Sequence, residues 1–281
     1  MTSNQATSRS RALTWEWFRD PGRQLWTIAA VCWVALLAAG HHHDVLITEG
    51  GSTRSAASIA LSVIVVAGAW LEMTAAMMLP TTVPMVRMFT VVSARAPRPM
   101  TVRAAFLAGY LALWMAFALV ALVTAAGIRA WAASGHLTWL AARPSLMLAG
   151  VLAIAGVFQL TPLKDRCLTQ CRDPRAFLFA HYRRGVRGGW TLGLRHGLSC
   201  LGCCWALMLI MLGTGLGNVL AMLILTAVML AEKTTRWGRQ LVIPLGIGLL
   251  IAAATVALFG NEMSGWGLYE SFYSPISAHH H

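Results

Sequence analysis

Long runs of apolar residues, separated by short polar segments, dominate the chain. Seven of these runs approach the length of about 20 residues that a helix needs to cross a membrane. They cover residues 24–40, 58–80, 104–126, 145–163, 194–213, 216–231 and 241–260. The pattern predicts an all-α fold, a polytopic bundle of about seven transmembrane helices.

The fifth and sixth apolar runs are joined by a glycine-rich turn. Gly213, Gly215 and Gly217 fall within residues 213–218, and clustered glycines mark tight turns. The two runs form either a helical hairpin across the membrane or a re-entrant pair buried among other helices. Charge does not separate the two arrangements, because both place the outer ends of the pair on one side.

Composition and charge also favour a membrane protein. Of the 281 residues, 57% are hydrophobic and 11% are charged, with a formal net charge of +12. In a soluble protein this charge would suggest nucleic acid, but no basic face with interleaved aromatic residues is present. The basic residues lie between the apolar runs, so orientation in a lipid bilayer explains them better. We therefore expect a bilayer, and no nucleic acid, as a partner.

The distribution of Lys and Arg predicts the orientation. With a cytosolic N-terminus, 19 of the 22 basic residues fall in cytosolic segments. The opposite side keeps only Arg54, Arg129 and Arg143. Because cytosolic loops are enriched in Lys and Arg, this bias predicts an odd number of spans in the inner (plasma) membrane, with the C-terminus outside.

We treat the chain as one transmembrane domain with short flanking segments. Residues 1–23 form a cytosolic N-terminal segment, 24–260 the helical domain and 261–278 an extracytoplasmic tail. The first apolar run lacks a clear cleavage site, so it is predicted to be a retained span. Residues 279–281 are three histidines that look like the remnant of a purification tag.

Sulfur-bearing side chains collect near the predicted cytosolic ends of several runs. A spacing of four residues places Met73 and Met77 on one helix face, and Cys167 and Cys171 are again four apart. Spacings of four, seven and eight residues from His196 place Cys200, Cys203 and Cys204 on one stripe with it. Thiolates and thioethers select soft metals, above all Cu(I), with zinc and iron–sulfur chemistry as competitors. The predicted metal ligands are Met73, Met77, Met78, Cys167, Cys171, His196, Cys200, Cys203 and Cys204.

Two prolines and two acidic residues accompany these ligands. Pro80 and Pro84 are predicted to end or kink the second helix, and Pro162 to disturb the fourth. Glu72 lies inside an apolar run, where an ionisable group is a functional hypothesis by default. Its expected partners are Lys164, Lys233, a metal ion or a proton, or it forms a structural ion pair. Glu232, beside Lys233, is either a solvated boundary residue or a functional partner.

Simpler interpretations stand beside these. A single methionine commonly fills gaps in an apolar core, and small residues around Cys200 could serve close helix packing. Cys32 is predicted to be a core residue. The tract His41, His42 and His43 either captures Cu(II), Zn(II) or Ni(II) or forms a loop without a role.

Three motifs resemble a bacterial family described as predicted metal-binding integral membrane proteins. They are the segments 72–80, 161–172 and 197–205, followed by Glu232 and Lys233. The resemblance covers roughly residues 58–240 and implies metal binding. It also implies that the family's motif residues here are Met73, Met77, Met78, Cys167, Cys171, Cys200, Cys203 and Cys204.

The leading functional hypothesis is Cu(I) handling, meaning binding, transfer or transport, with zinc as the alternative metal. Transport requires several weak sites, which exchanging methionine ligands would supply. A metallochaperone or an oxidase is a candidate partner. The alternatives are a redox enzyme or oxidase assembly factor, whose reactive thiolate would lie near Arg195 or His196, and a structural subunit of a membrane complex. ATP-driven pumping is not expected, since the chain has no Walker A motif.

Overall fold

The computed structural model describes residues 20–39, 56–131, 144–214 and 218–263. Within these ranges all regular structure is helical, and nine helices are present without any strand. The helices are α1 (Pro21–Ala39), α2 (Ala56–Ser93), α3 (Pro99–Trp131), α4 (Pro144–Gln159), α5 (Pro162–Arg172), α6 (Pro174–His181), α7 (Gly185–Thr214), α8 (Val219–Thr234) and α9 (Gly238–Met263). The predicted all-α fold class is confirmed.

Four of the described helices are long and apolar enough to cross a membrane. The qualifying segments are Ile64–Ser93 in α2, Pro99–Thr124 in α3, Gly185–Met211 in α7 and Gly238–Gly260 in α9. The bent pair α4 and α5 makes a fifth if it counts as one span. These lengths are compatible with a membrane location. The count of about seven spans and the cytosolic N-terminus stay predictions.

The prolines act differently in the two helices where they were singled out. Pro162 starts α5 after a bend of 69° from α4, as predicted, and the Thr161 hydroxyl caps the new helix by accepting from the Lys164 amide at 3.3 Å. In contrast, α2 continues through Pro80 and Pro84 to Ser93. Of the two predicted outcomes, an end or a kink of the helix, the end is therefore wrong. Packed neighbours allow a membrane helix to contain proline.

Glycines bring α3 and α7 into close contact. A Cβ atom added at Gly109 would lie 2.5 Å from the Trp190 carbonyl oxygen, and one at Gly189 would lie 2.5 Å from that of Val102. Such small residues let helix backbones approach closely in membrane proteins. This contact fixes the rotation of α7, and therefore the direction of its cysteine stripe.

The helices differ in how deeply they are buried. Of the 18 consecutive residues that are most apolar in α7, 61% are buried, whereas the corresponding share in α9 is 17%. α7 packs against α3, α4, α5 and α8, while α9 packs chiefly against α4. α7 is therefore the central helix, and residues on its faces meet side chains from most of the bundle.

Candidate metal site

The three cysteines of α7 lie within little more than one helical turn and are almost completely buried. Their exposed fractions are 1% for Cys200 and 0% for Cys203 and Cys204. The thiols of Cys203 and Cys204 donate to the Cys200 carbonyl oxygen at 3.0 and 2.9 Å. Three sulfur atoms are thus concentrated on one part of α7, facing the interior.

α5 brings two further thiols to the same helix. The Sγ atoms of Cys171 and Cys203 are 3.8 Å apart, and we call these two residues the thiol pair. Cys167 lies one turn away, against Gly202, where an added Cβ atom would be 2.7 Å from its Sγ atom. Cys167 and Cys171 are only half-buried. The contact between α5 and α7 is therefore lined by thiols whose exposure falls from α5 to α7.

Lys233 of α8 inserts its ammonium group among sulfur atoms. Its Nζ atom lies 3.1 Å from Cys200 Sγ, 3.6 Å from Cys204 Sγ and 3.9 Å from Met78 Sδ. We call these three sulfur-bearing residues the sulfur cage. The Tyr110 hydroxyl lies 3.2 Å from Cys200 Sγ. A buried ammonium requires compensating partners, and those of Lys233 are sulfur atoms.

Glu232, the residue before Lys233, has a separate set of partners. Its carboxylate accepts from Lys164 Nζ at 2.7 Å and from Gln159 Nε2 at 2.8 Å, and both ionic side chains are buried. The Arg172 guanidinium donates to the backbone carbonyl of Glu232, and to that of Thr235 at 2.7 Å. The interpretation of Glu232 and Lys233 as a solvated boundary pair is wrong, because both are buried with different partners.

Glu72 is half-buried beside a cavity of about 370 Å³, which Cys32 also lines. In the part of the chain that the structure describes, Glu72 makes no ion pair. Lys164 bonds to Glu232, and Lys233 contacts sulfur. The expectation that Glu72 pairs with either lysine is therefore wrong.

His196 is buried beside the cluster but makes no described hydrogen bond to a cysteine. Its ring packs 5.9 Å from the rings of Phe106 and Tyr110, measured between centroids, and 5.6 Å from that of Phe177. Among the residues that the structure describes, its Nδ1 atom has no hydrogen-bond partner. Neither His196 nor Arg195 supplies a described thiol contact, so the cation beside Cys200 is Lys233 instead.

The predicted methionines are buried in the same core cluster as the α7 cysteines. Met73, Met77 and Met78 of α2 are at most 2% exposed. The cluster also includes four methionines of α7 and α8: Met208, Met211, Met222 and Met229. Met78 is the one whose sulfur contacts Lys233. The others have the position that either a ligand or a packing residue would occupy.

Among the described residues, no three His, Cys, Asp or Glu side chains are already grouped as a metal site. A metal ion here would use two thiols with a thioether, or would require a side chain to move. The tract His41, His42 and His43 lies outside the described residues. The sequence interpretation missed Tyr110, which lies in an apolar run with no motif around it, and missed the contact of Lys233 with the thiols.

The fold and this cluster define an all-helical protein with membrane-compatible helices and a buried, sulfur-rich centre. The model of a family described as PpoB2, copper chaperone, matches residues 66–256, and the chain belongs to that family. The matched region contains all nine predicted ligands, while Cys32 and the histidine tract lie outside it. No curated protein and no solved structure matches the chain. Family membership supports a role in copper handling.

Proposed function

We propose that this protein is an inner-membrane copper chaperone that receives Cu(I) at the thiol pair, Cys171 and Cys203. The observation that carries this proposal is the 3.8 Å distance between the two Sγ atoms, which belong to different helices. The family's description as a copper chaperone supports the chaperone function. The ligands, the oxidation state and the membrane are our own assignment.

The separation of the two sulfur atoms suits joint coordination of one ion. Two thiolates about 2.3 Å from a tetrahedral metal ion, at an angle of about 110°, lie about 3.8 Å apart. The pair therefore fits an ion that has further ligands, rather than one held by two thiolates in a line. A disulfide would bring the sulfur atoms to about 2.05 Å. The thiol pair therefore requires little movement to bind a metal ion between α5 and α7.

The chemistry around the thiol pair favours a soft ion. The core cluster that contains Cys203 includes three cysteines and seven methionines, and such ligands select Cu(I). The nearby carboxylate of Glu232 is occupied by Lys164 and Gln159, so it offers little to a harder ion. Zinc also binds thiolates and is the competing metal.

The decrease in exposure suggests a direction for ligand exchange. Cu(I) from a donor protein first meets the half-buried Cys167 and Cys171, then the buried Cys203 and the sulfur cage. The methionines of α2, α7 and α8 continue the series of sulfur ligands. Several weak, exchangeable sites are what onward transfer requires. An acceptor cuproprotein would receive the ion.

Copper binding to purified protein tests the proposal. The protein is purified in detergent without oxygen, loaded with Cu(I), washed and analysed for copper and zinc. We expect about one tightly bound copper ion per chain. The double variant Cys171→Ser/Cys203→Ser should lose that copper, whereas the matched variant Cys32→Ser should keep it. Equal copper retention in the two variants, or preferential zinc binding by the wild type, would contradict the assignment.

A further inference from the structure

We infer that Lys233 is the resident cation of the sulfur cage and that Cu(I) enters the cage only by displacing it. This inference deepens the proposed function and rests on it, because it concerns the step after Cu(I) has reached the thiol pair. The cage consists of Cys200, Cys204 and Met78, which the Lys233 ammonium contacts at 3.1 to 3.9 Å.

The ammonium lies where a soft monovalent ion would bind. Two cysteine sulfurs and one methionine sulfur surround it, and they are the ligand types that Cu(I) prefers. Within the described ranges no acidic side chain pairs with it, and the neighbouring Glu232 bonds to Lys164 and Gln159. Two other described cations near this end of α8 also have partners elsewhere: Arg172 bonds to backbone carbonyls and Arg239 to Asp165.

The cage cannot hold both cations. A metal would lie about 2.3 Å from its sulfur ligands, inside the space bounded by the ammonium contacts. At such a separation two positive charges repel strongly in a buried site. Cu(I) binds Cys200 and Cys204 as thiolates, so any thiol protons of the resting cage leave to solvent when the ion enters. The incoming Cu(I) and the departing ammonium carry the same single positive charge, so the exchange of cations itself adds no charge to the cage.

The surroundings let the side chain move while the backbone stays in place. Arg172 holds the carbonyls of Glu232 and Thr235, and the Lys164–Glu232 ion pair anchors the same end of α8. Lys233 is the penultimate residue of α8, and lysine carries its charge on a flexible four-carbon stem. Displacement is therefore a rotation of one side chain near a helix end.

Return of the ammonium to the cage would help expel the metal. The protein would then hold Cu(I) long enough to carry it and would release it when an acceptor offers ligands. Lys233 acts in this scheme as a positioning residue that sets the lifetime of the bound ion, rather than as a ligand.

The rate of copper release tests this role. Wild type, Lys233→Leu and the control Arg239→Leu, which removes an exposed cation of α9, are loaded with Cu(I) and mixed with a chromogenic Cu(I) chelator. We expect release from Lys233→Leu to be slower by at least about tenfold, because the repelling charge is gone. Release from Arg239→Leu should match the wild type. Release from loaded Lys233→Leu at the wild-type rate or faster would overturn the inference.

A measurement on unmodified protein covers the case in which Lys233→Leu does not fold. Acylation of Lys233 by an amine reagent is quantified by mass spectrometry, with and without Cu(I). We expect copper to increase the labelling of Lys233, since the displaced amine leaves its buried cage. Unchanged or lower labelling in copper-loaded protein would overturn the inference. If the wild type binds no copper, the proposed function fails instead.

Discussion

Lys164 and Lys233 are both buried, and both approach the same end of α8, yet their partners differ completely. Lys164 meets the Glu232 carboxylate at 2.7 Å, while the nearest partner of Lys233 is the Cys200 sulfur at 3.1 Å. Of the adjacent residues Glu232 and Lys233, the first thus makes an ion pair and the second contacts a cluster of sulfur atoms.

The difference separates a fixed region from an exchangeable one. Removal of one partner from a buried, hydrogen-bonded ion pair strongly destabilises the folded protein. The contact of the Glu232 carboxylate with Lys164 therefore holds α8 against α5. The Lys233 ammonium, surrounded by sulfur, has no carboxylate partner in the described part of the chain. The fixed contact between Lys164 and Glu232 therefore positions the backbone of Lys233, whose side chain we expect to move.

The largest expected effect comes from the rigid region. Glu232→Gln leaves Lys164 buried without a counter-ion, and we expect the free energy of unfolding to fall by about 3–5 kcal/mol. Unfolding of the detergent-solubilised protein, followed by circular dichroism, measures it. The matched change Asp165→Asn breaks the exposed pair with Arg239 and should cost at most about 1 kcal/mol. Similar losses in the two variants would remove the distinction between the regions.

A smaller effect is expected where the thiols of α5 meet α7. A Cβ atom at position 202 would lie 2.7 Å from Cys167 Sγ, so Gly202→Ala overpacks this contact. We expect a loss of about 1–3 kcal/mol in the free energy of unfolding, measured in the same way. Gly248→Ala is the control, because an added Cβ atom there meets nothing within 4 Å. No difference between the variants would show that Cys167 does not pack on Gly202.

The smallest effect concerns the hydroxyl group that contacts the sulfur cage. Tyr110→Phe removes the 3.2 Å contact with Cys200 and should lower the free energy of unfolding by about 1 kcal/mol. Tyr182→Phe is the control, because Tyr182 has a described ring contact with Phe89 but no described hydroxyl hydrogen bond. If Tyr110→Phe is as stable as wild type, the hydroxyl contributes nothing to the cage.

Helical spacing predicted which residues share a face, but not which faces meet. The stripe from His196 to Cys204 and the pair Cys167 and Cys171 follow from intervals of three and four residues. Lys233 and Cys200 are 33 positions apart, and Lys164 and Glu232 are 68 apart. Such contacts depend on helix rotation, which is set here by close approaches such as that of Gly109 to Trp190.

The exposure of Glu232 and Lys233 was predicted wrongly, because it was inferred only from their position at the end of an apolar run. Glu232 and Lys233 are adjacent in sequence at the end of an apolar run, which suggested a boundary pair. Consecutive helical residues point in directions about 100° apart, so the two side chains face different neighbours. The same property explains why Glu72 and Met73 differ in burial, with Glu72 half-exposed and Met73 inside the core.

X-ray absorption at the copper edge tests the central claim most directly, because it reports the atoms bound to the metal. For copper-loaded wild type we predict a Cu(I) edge and two or three sulfur neighbours at about 2.3 Å. Cys171→Ser/Cys203→Ser should lose this sulfur shell, while Cys32→Ser keeps it. A first shell of nitrogen or oxygen atoms in the wild type, or a sulfur shell that persists in the double variant, would contradict binding at the thiol pair.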